Sequence, residues 1–74
     1  MTTYTRMNIF EIEAAAESKE QIAVLCRNGE YFAGKVLRVG ILHTQIHAGL
    51  KVTVEYSDGY IDHYSLDDIY RIEN

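Results

Sequence analysis

Two glycines within one stretch of alternating apolar residues constrain the fold of this chain most. The dipeptide Asn28-Gly29 favours a type I′ hairpin turn, because both central positions of that turn need a positive φ. Gly34 falls in the middle of the return strand, residues 31–39, where a glycine usually marks a sharp bend or a close backbone approach. The apolar residues around both glycines are Val24, Cys26, Phe32 and Val36. The pattern predicts a bent β-hairpin, which lets one strand serve both halves of a small barrel.

Period-two alternation predicts the remaining strands. Residues 52–57 alternate between apolar and polar side chains, as in a strand with one buried side. A second hairpin turn is expected at Ser57-Asp58-Gly59, followed by a returning strand over 60–65. A tight turn at 66–68 then leads into a closing strand over 69–72.

The segment from residue 40 to residue 50 carries the weakest pattern. Ile41, Leu42 and Ile46 are compatible with a short strand. Ala48-Gly49 is expected to form a turn, because glycine supplies the positive φ that many turns need.

A helix is predicted over about residues 8–19. Asn8 is a favourable N-cap residue, and Glu11 three positions later completes a capping-box pattern. A helix this short is marginal in isolation, so its apolar side is expected to dock on the sheet. The residues expected on or beside that apolar side are Ile9, Ile12, Ala16, Phe10 and Ala14.

Length and composition predict one domain over residues 1–74, with a barrel over about 21–73. A core this small supplies only ~3–5 kcal/mol of net stability, so association with itself or with a partner is expected. The single cysteine excludes an internal disulfide and a CxxC zinc site, and it favours a reducing compartment. No apolar run approaches a membrane span, and the N-terminus lacks the apolar stretch of a signal peptide. A soluble cytoplasmic protein is expected.

The charge of the chain is unevenly distributed. The net charge of −4 divides into +1 over residues 1–51 and −5 over residues 52–74, where Arg71 is the one lysine or arginine. Phosphate binding needs lysine and arginine, so direct contact with nucleic acid is not favoured. The acidic segment suits a basic partner surface or, alternatively, forms a solvated face. Its six carboxylates belong to Glu55, Asp58, Asp62, Asp67, Asp68 and Glu73.

The residues that often carry catalysis or bind metal form no convincing group. His43 and His47 are four positions apart, a spacing that aligns ligands on a helix but not on a strand. Cys26 is in phase with apolar neighbours and should point inward as a small apolar side chain. Asp67 and Asp68 are more typical of a turn than of a catalytic pair. We therefore expect no enzyme, no metal site and no cofactor.

Tyr60, Asp62 and Tyr64 share one side of the predicted strand over 60–65. Two aromatic rings that flank an acid could surround a cation, because a cation–π contact contributes ~0.5–2 kcal/mol. They could also form a protein-binding hot spot, since tyrosine is enriched at interfaces. A third interpretation is that one or both rings cover the open end of the barrel.

The order of elements resembles the Sm-like fold, in which a short helix precedes a five-stranded bent barrel related to SH3-like barrels. The spacing of Gly29, Phe32, Gly34 and Val36 matches the first motif of that family. The RNA-reading aspartate and asparagine of Sm proteins correspond here to Gly40 and Thr44. The Arg-Gly pair of the second motif corresponds to Ser65-Leu66. The resemblance thus implies the barrel without the RNA pocket.

Two bacterial families with Sm-like barrels are more similar. The Rho-binding antiterminator family, Rof, resembles this chain in the helix segment 11–15, the hairpin Asn28-Gly29-Glu30 and the closing 66–69 segment. YolD-like proteins resemble it in the tail over residues 62–69. Val54-Glu55-Tyr56-Ser57-Asp58-Gly59 also resembles a hairpin of Tudor-type barrels.

The favoured function is a non-catalytic regulatory protein that docks an acidic, tyrosine-rich surface on a larger, basic, nucleic-acid-handling protein. The resemblance to Rof implies that this partner is the Rho termination factor and that docking blocks RNA entry. Two alternatives stay open, an oligomeric Sm-like RNA-binding protein and a phage-type inhibitor of a host or defence protein. The expected contact residues are Glu55, Asp58, Tyr60, Asp62 and Tyr64, with Glu13 and Glu17 of the helix.

Overall fold

A computed structural model describes residues 1–74 as six antiparallel strands in one sheet, with one helix. In chain order the elements are β1 Thr3–Arg6, α1 Ile9–Ser18, β2 Gln21–Leu25, β3 Tyr31–His43, β4 Ala48–Glu55, β5 Ile61–Tyr64, a 3₁₀ turn Leu66–Asp68 and β6 Ile69–Glu73. The strand order across the sheet is β1-β6-β2-β3-β4-β5. The predicted fold class, a small mainly-β, barrel-like domain with one N-terminal helix, is confirmed, and β1 is an additional strand that the sequence did not predict.

The helix forms where the capping pattern predicts it. Asn8 accepts a hydrogen bond from the backbone N–H of Glu11, and the Glu11 carboxylate accepts one from the N–H of Asn8. The helix ends at Ser18, and the C-cap residue Lys19 adopts the left-handed conformation with φ of 62°. Its buried residues are Ile12 and Ala15, so the buried stripe is narrower than predicted and leaves Phe10 79% exposed.

The bend in β3 follows from Gly34 and from an irregularity three residues later. A Cβ atom on Gly34 would lie 2.6 Å from Cγ1 of Val54 and 3.2 Å from the carbonyl oxygen of Glu55. The register with β4 then shifts between Val36 and Arg38, which leaves Leu37 as the bulged residue. Such a bulge bends a strand and increases its twist. The predicted close approach at Gly34 is confirmed.

The core lies between the helix and the bent sheet. Its side chains are short and branched, as suits strands that are buried on one face. The largest fully buried ones are Ile12, Ile22, Val24, Val36, Val52, Val54 and Ile69.

Both short hairpins use the same turn, and it is not the type I′ turn predicted for Asn28-Gly29. The N–H of Gly29 donates to the carbonyl of Cys26, and Gly29 alone has a positive φ, at 85°. Gly59 repeats this arrangement with Tyr56, at φ of 88°. One left-handed glycine after an ordinary turn gives a three-residue loop with a bulge. Asn28 therefore needs no positive φ.

The turn predicted at Ala48-Gly49 is wrong. Ala48 and Gly49 begin β4 and pair with His43 and Leu42 of β3. The chain reverses instead at residues 44–47, where Thr44 caps the loop. Its hydroxyl donates to the carbonyl of His47 and accepts from the N–H of that residue, at 3.0 and 2.8 Å. The Thr44 hydroxyl thus closes this loop through hydrogen bonds, and no residue of the loop has a positive φ.

No helix of this chain has the length and apolar character to cross a membrane.

Candidate interaction surface

The predicted contact residues Glu55, Asp58, Tyr60 and Asp62 all lie on the β4–β5 hairpin. Glu55 ends β4, Asp58 lies in the turn, and Asp62 lies in β5 opposite Val54. Asp58 and Tyr60 are exposed, and Glu55 and Asp62 are half-buried. We call these four residues the acidic hairpin.

Asp58 has a structural role as well as a charge. Its Oδ1 accepts a hydrogen bond from the backbone N–H of Tyr60 at 3.0 Å. Asn28 makes the same bond to the N–H of Glu30 in the other hairpin, also at 3.0 Å. Because an asparagine supports this turn equally well, the negative charge of Asp58 is not needed for folding.

Tyr60 and Asp62 lie next to each other, as the period-two pattern predicted. The Tyr60 hydroxyl donates to Oδ2 of Asp62 at 3.4 Å, and the Tyr60 ring is 57% exposed. Oδ1 of Asp62 accepts from the backbone N–H of His63 at 2.8 Å and lies 3.7 Å from Nε2 of His47. The phenol ring and the half-buried carboxylate are therefore joined as one polar unit by a hydrogen bond.

Tyr64 is oriented differently from Tyr60. Its hydroxyl lies 2.6 Å from the hydroxyl of Tyr56, and both rings pack against the core cluster. Burial raises the pKa of Tyr64 and of Tyr56, and the hydrogen bond between them raises that of Tyr64 further. Tyr64 shares the face of Asp62 by register, but as a half-buried ring it covers the core rather than projecting from it.

Glu13 and Glu17 are exposed on the helix, one turn apart. None of the hydrogen bonds or ion pairs joins them to the acidic hairpin. Glu11 faces the sheet instead and pairs with Arg71 of β6. The backbone N–H of Asn8 and, secondarily, Arg71 hold the pKa of Glu11 below its ordinary value.

A polar groove of about 540 Å³ runs beside Asp62. His47 and His63 meet there edge to face with 5.2 Å between ring centroids, and Nδ1 of His63 lies 2.9 Å from Oγ1 of Thr53. Cys26 lines the same groove, and burial raises the pKa of its thiol, which disfavours the reactive thiolate. No group of three or more His, Cys, Asp or Glu side chains is arranged to hold a metal ion.

Sequence reasoning missed a second aromatic surface. Tyr31 stacks on Tyr4 with 3.9 Å between centroids and meets Tyr70 edge to face at 5.2 Å. Arg6 lies over the Tyr70 ring at 6.0 Å. The run Thr3-Tyr4-Thr5 could have predicted the strand that brings Tyr4 to this surface, because tyrosine and threonine both favour strands.

Comparison with models of protein families, with curated proteins and with solved structures found no match to this chain.

Proposed function

We propose that this chain is a non-catalytic regulatory protein that docks the acidic hairpin on a basic surface of a larger nucleic-acid-handling protein. The resemblance to Rof makes the Rho termination factor the first partner to test. Docking would be competitive, because carboxylates would occupy a surface that otherwise binds phosphates.

The observation that carries this proposal is the unpaired state of two carboxylates beside an exposed phenol ring. One salt bridge forms in the structure, between Arg71 and Glu11, and the imidazole of His47 lies 3.7 Å from the carboxylate of Asp62. Glu55 and Asp58 therefore have no cationic partner within ion-pair distance. Carboxylates at such positions can meet lysine and arginine of a partner and accelerate encounter with it.

Tyr60 adds contact area to this electrostatic attraction. Its ring is exposed, and the hydrogen bond to Asp62 limits the orientations it samples. Tyrosine, tryptophan and arginine dominate the binding energy of protein interfaces. Tyr60 is accordingly the expected anchor of the interface. Its ring stacks on that of Tyr56 with 6.1 Å between centroids, and Tyr64 in turn meets Tyr56 edge to face.

The test is binding of purified Rho to the immobilised protein, together with displacement of a labelled single-stranded RNA from Rho. A triple variant, Glu55→Gln with Asp58→Asn and Asp62→Asn, removes three charges and keeps the side-chain hydrogen-bond acceptors. The matched control neutralises three exposed carboxylates outside the hairpin: Glu20→Gln, Glu30→Gln and Glu73→Gln.

We expect the hairpin variant to lose at least tenfold in affinity, while the control loses less than threefold. Because both variants have the same net charge, a difference in affinity reports the position of the carboxylates. Affinity of the unchanged protein should fall with added salt, as exposed charges are screened. Equal affinities for both variants would exclude the acidic hairpin as the docking surface. If Rho does not bind, capture from a bacterial lysate at low and high salt identifies another basic partner.

A further inference from the structure

The hairpin between β3 and β4 extends beyond the rest of the sheet. β2 pairs with β3 only as far as Lys35, and β5 pairs with β4 only from Val52 onward. Residues 40–43 and 48–51 therefore pair only with each other. We call residues 40–51 the ribbon. A two-stranded ribbon is marginally stable in water, so contacts at its tip matter for its position.

The tip of the ribbon lies against β5 at His47. Nε2 of His47 lies 3.7 Å from Oδ1 of Asp62, and its ring meets the ring of His63 edge to face at 5.2 Å. The side chain of His47 is 24% exposed, whereas its neighbour Ile46 is 86% exposed. Thr44 holds the backbone of His47 through two hydrogen bonds. The loop thus directs this imidazole, and not its apolar neighbour, at the acidic hairpin.

Asp62 is therefore shared between the ribbon and the acidic hairpin. Its Oδ2 accepts from the hydroxyl of Tyr60, and its Oδ1 accepts from the backbone N–H of His63 and faces His47. A lysine or arginine of a partner that approaches Oδ1 meets the imidazole of His47 at the same oxygen. When that imidazole is protonated, it is a cation of this chain in the position that the partner's cation would take.

The other charges around His47 do not change the sign of this contact. The fixed charges that line its groove balance, because Arg27 and Lys51 lie there with Asp62 and Asp68. Within ion-pair distance of His47 there is only Asp62. The remaining titratable groups of the groove are His63, whose Nδ1 is occupied by Oγ1 of Thr53, and two buried groups whose pKa is raised by burial and which stay neutral near neutral pH, Cys26 and Tyr64.

We propose that the ribbon is an internal competitor of docking: protonated His47 pairs with Asp62 and withholds this carboxylate from a basic partner. The inference rests on the proposed function, in which Asp62 meets a cation of the partner. Histidine changes charge between about pH 5 and 8. The competition is therefore strongest at the acidic end of that range and is lost as the pH rises through it. The ribbon thus makes docking on the acidic hairpin weaker in acid.

The first experiment compares two histidines of the ribbon. His47→Gln and His43→Gln each remove one imidazole, but His43 is exposed and its side chain makes no hydrogen bond or ion pair in the structure. Affinity for purified Rho is measured by titration calorimetry at about pH 5.5 and about pH 8, at the two ends of the range in which histidine titrates.

At the lower pH, His47→Gln should bind about two- to fivefold more tightly than His43→Gln, which is the size expected for release of one exposed ion pair. At the higher pH the two variants should bind alike. Because both variants meet the same partner at the same pH, titration of Rho itself cancels in the comparison. Equal affinities at the lower pH would overturn the proposal.

The second experiment needs no partner. Hydrogen-exchange protection factors of the amides in residues 40–51 should be larger at the lower pH in the unchanged protein, because the ion pair holds the ribbon tip against β5. Asp62→Asn should abolish that difference. Asp58→Asn, which removes a carboxylate of the same hairpin that does not contact His47, should retain it. Protection that responds to pH equally in both variants would contradict the contact.

The two experiments separate this inference from the proposed function. Absence of Rho binding counts against the proposed function alone, and an oligoarginine peptide then replaces Rho as the basic probe in the same comparison of His47→Gln with His43→Gln. Equal affinities of these variants for the peptide at the lower pH would overturn the competition, whatever the natural partner is.

Discussion

The ring of Tyr4 stacks on the ring of Tyr31 with 7° between their planes, and this contact joins the first strand to the start of the third. β1 lies at the edge of the sheet and pairs only with β6. All four of its residues are exposed, so β1 contributes no side chain to the buried core. The tyrosine stack is thus the main side-chain contact that holds this edge strand in place.

Tyr31→Ala should destabilise the protein by about 2 kcal/mol, because a half-buried ring with two aromatic partners is removed. Urea unfolding followed by circular dichroism measures the loss. Hydrogen exchange should also show weaker protection of the β1 amides, since the edge strand loses its side-chain support. Phe10→Ala is the control, and removal of that exposed ring should change stability by less than about 0.5 kcal/mol.

Gly34→Ala should destabilise the protein by about 1–3 kcal/mol, because the added methyl group overlaps Val54 and approaches the backbone of Glu55. Gly40→Ala offers a matched comparison in the same strand. A Cβ atom at Gly40 meets nothing within 4 Å, and this glycine has no positive φ. Thermal unfolding of both variants measures the difference, and equal midpoints would contradict the close approach at Gly34.

The features that could be predicted from sequence depend on local chemistry. The capping box at Asn8 and Glu11 sets the start of the helix through contacts three residues apart. Gly34 signalled a bend because a side chain there would overlap the neighbouring strand. The hairpin that carries Glu55, Asp58 and Asp62 could be predicted because its turn residues and its acidic residues are close together in the chain.

The features that were missed depend on distant residues. The run Thr3-Tyr4-Thr5-Arg6 has only one aromatic residue and is too short for its alternation to predict a strand, and it becomes a strand through pairing with β6 and the contact with Tyr31. Gly49 has a φ of 93°, which is typical of a turn, yet cross-strand pairing with Leu42 places it within β4. The half-buried position of Tyr64 follows from its contact with Tyr56 of the preceding strand, which period-two reasoning alone does not locate.

Stability should decline in acid because of Glu11. Hydrogen bonding to Asn8 and pairing with Arg71 lower the pKa of Glu11 from its ordinary value of 4.5. A group whose pKa is lower in the folded state contributes stability above its unfolded pKa and loses that contribution as the pH falls through its folded pKa. Thermal midpoints measured as the pH is lowered below 4.5 should therefore fall less steeply for Glu11→Gln than for the unchanged protein. Glu20→Gln, at an exposed site outside the helix, is the matched control for loss of one carboxylate.

The pair Tyr56 and Tyr64 should make the protein less stable as the pH rises into the alkaline range. The pKa of each phenol is raised above its ordinary value of 10.0, chiefly by burial. Between the unfolded and folded pKa values the native state holds more protons than the unfolded chain. The contribution of these phenols to the free energy of unfolding is therefore fully present below pH 10.0 and is lost as the pH rises above it.

Tyr64→Phe keeps the ring and removes one titrating group. It should cost about 1 kcal/mol at neutral pH, because Tyr56 loses its hydrogen-bond partner, and should make the alkaline decline shallower. Guanidinium unfolding at several pH values on both sides of 10.0 measures both effects, and parallel alkaline profiles for the two proteins would contradict the assignment.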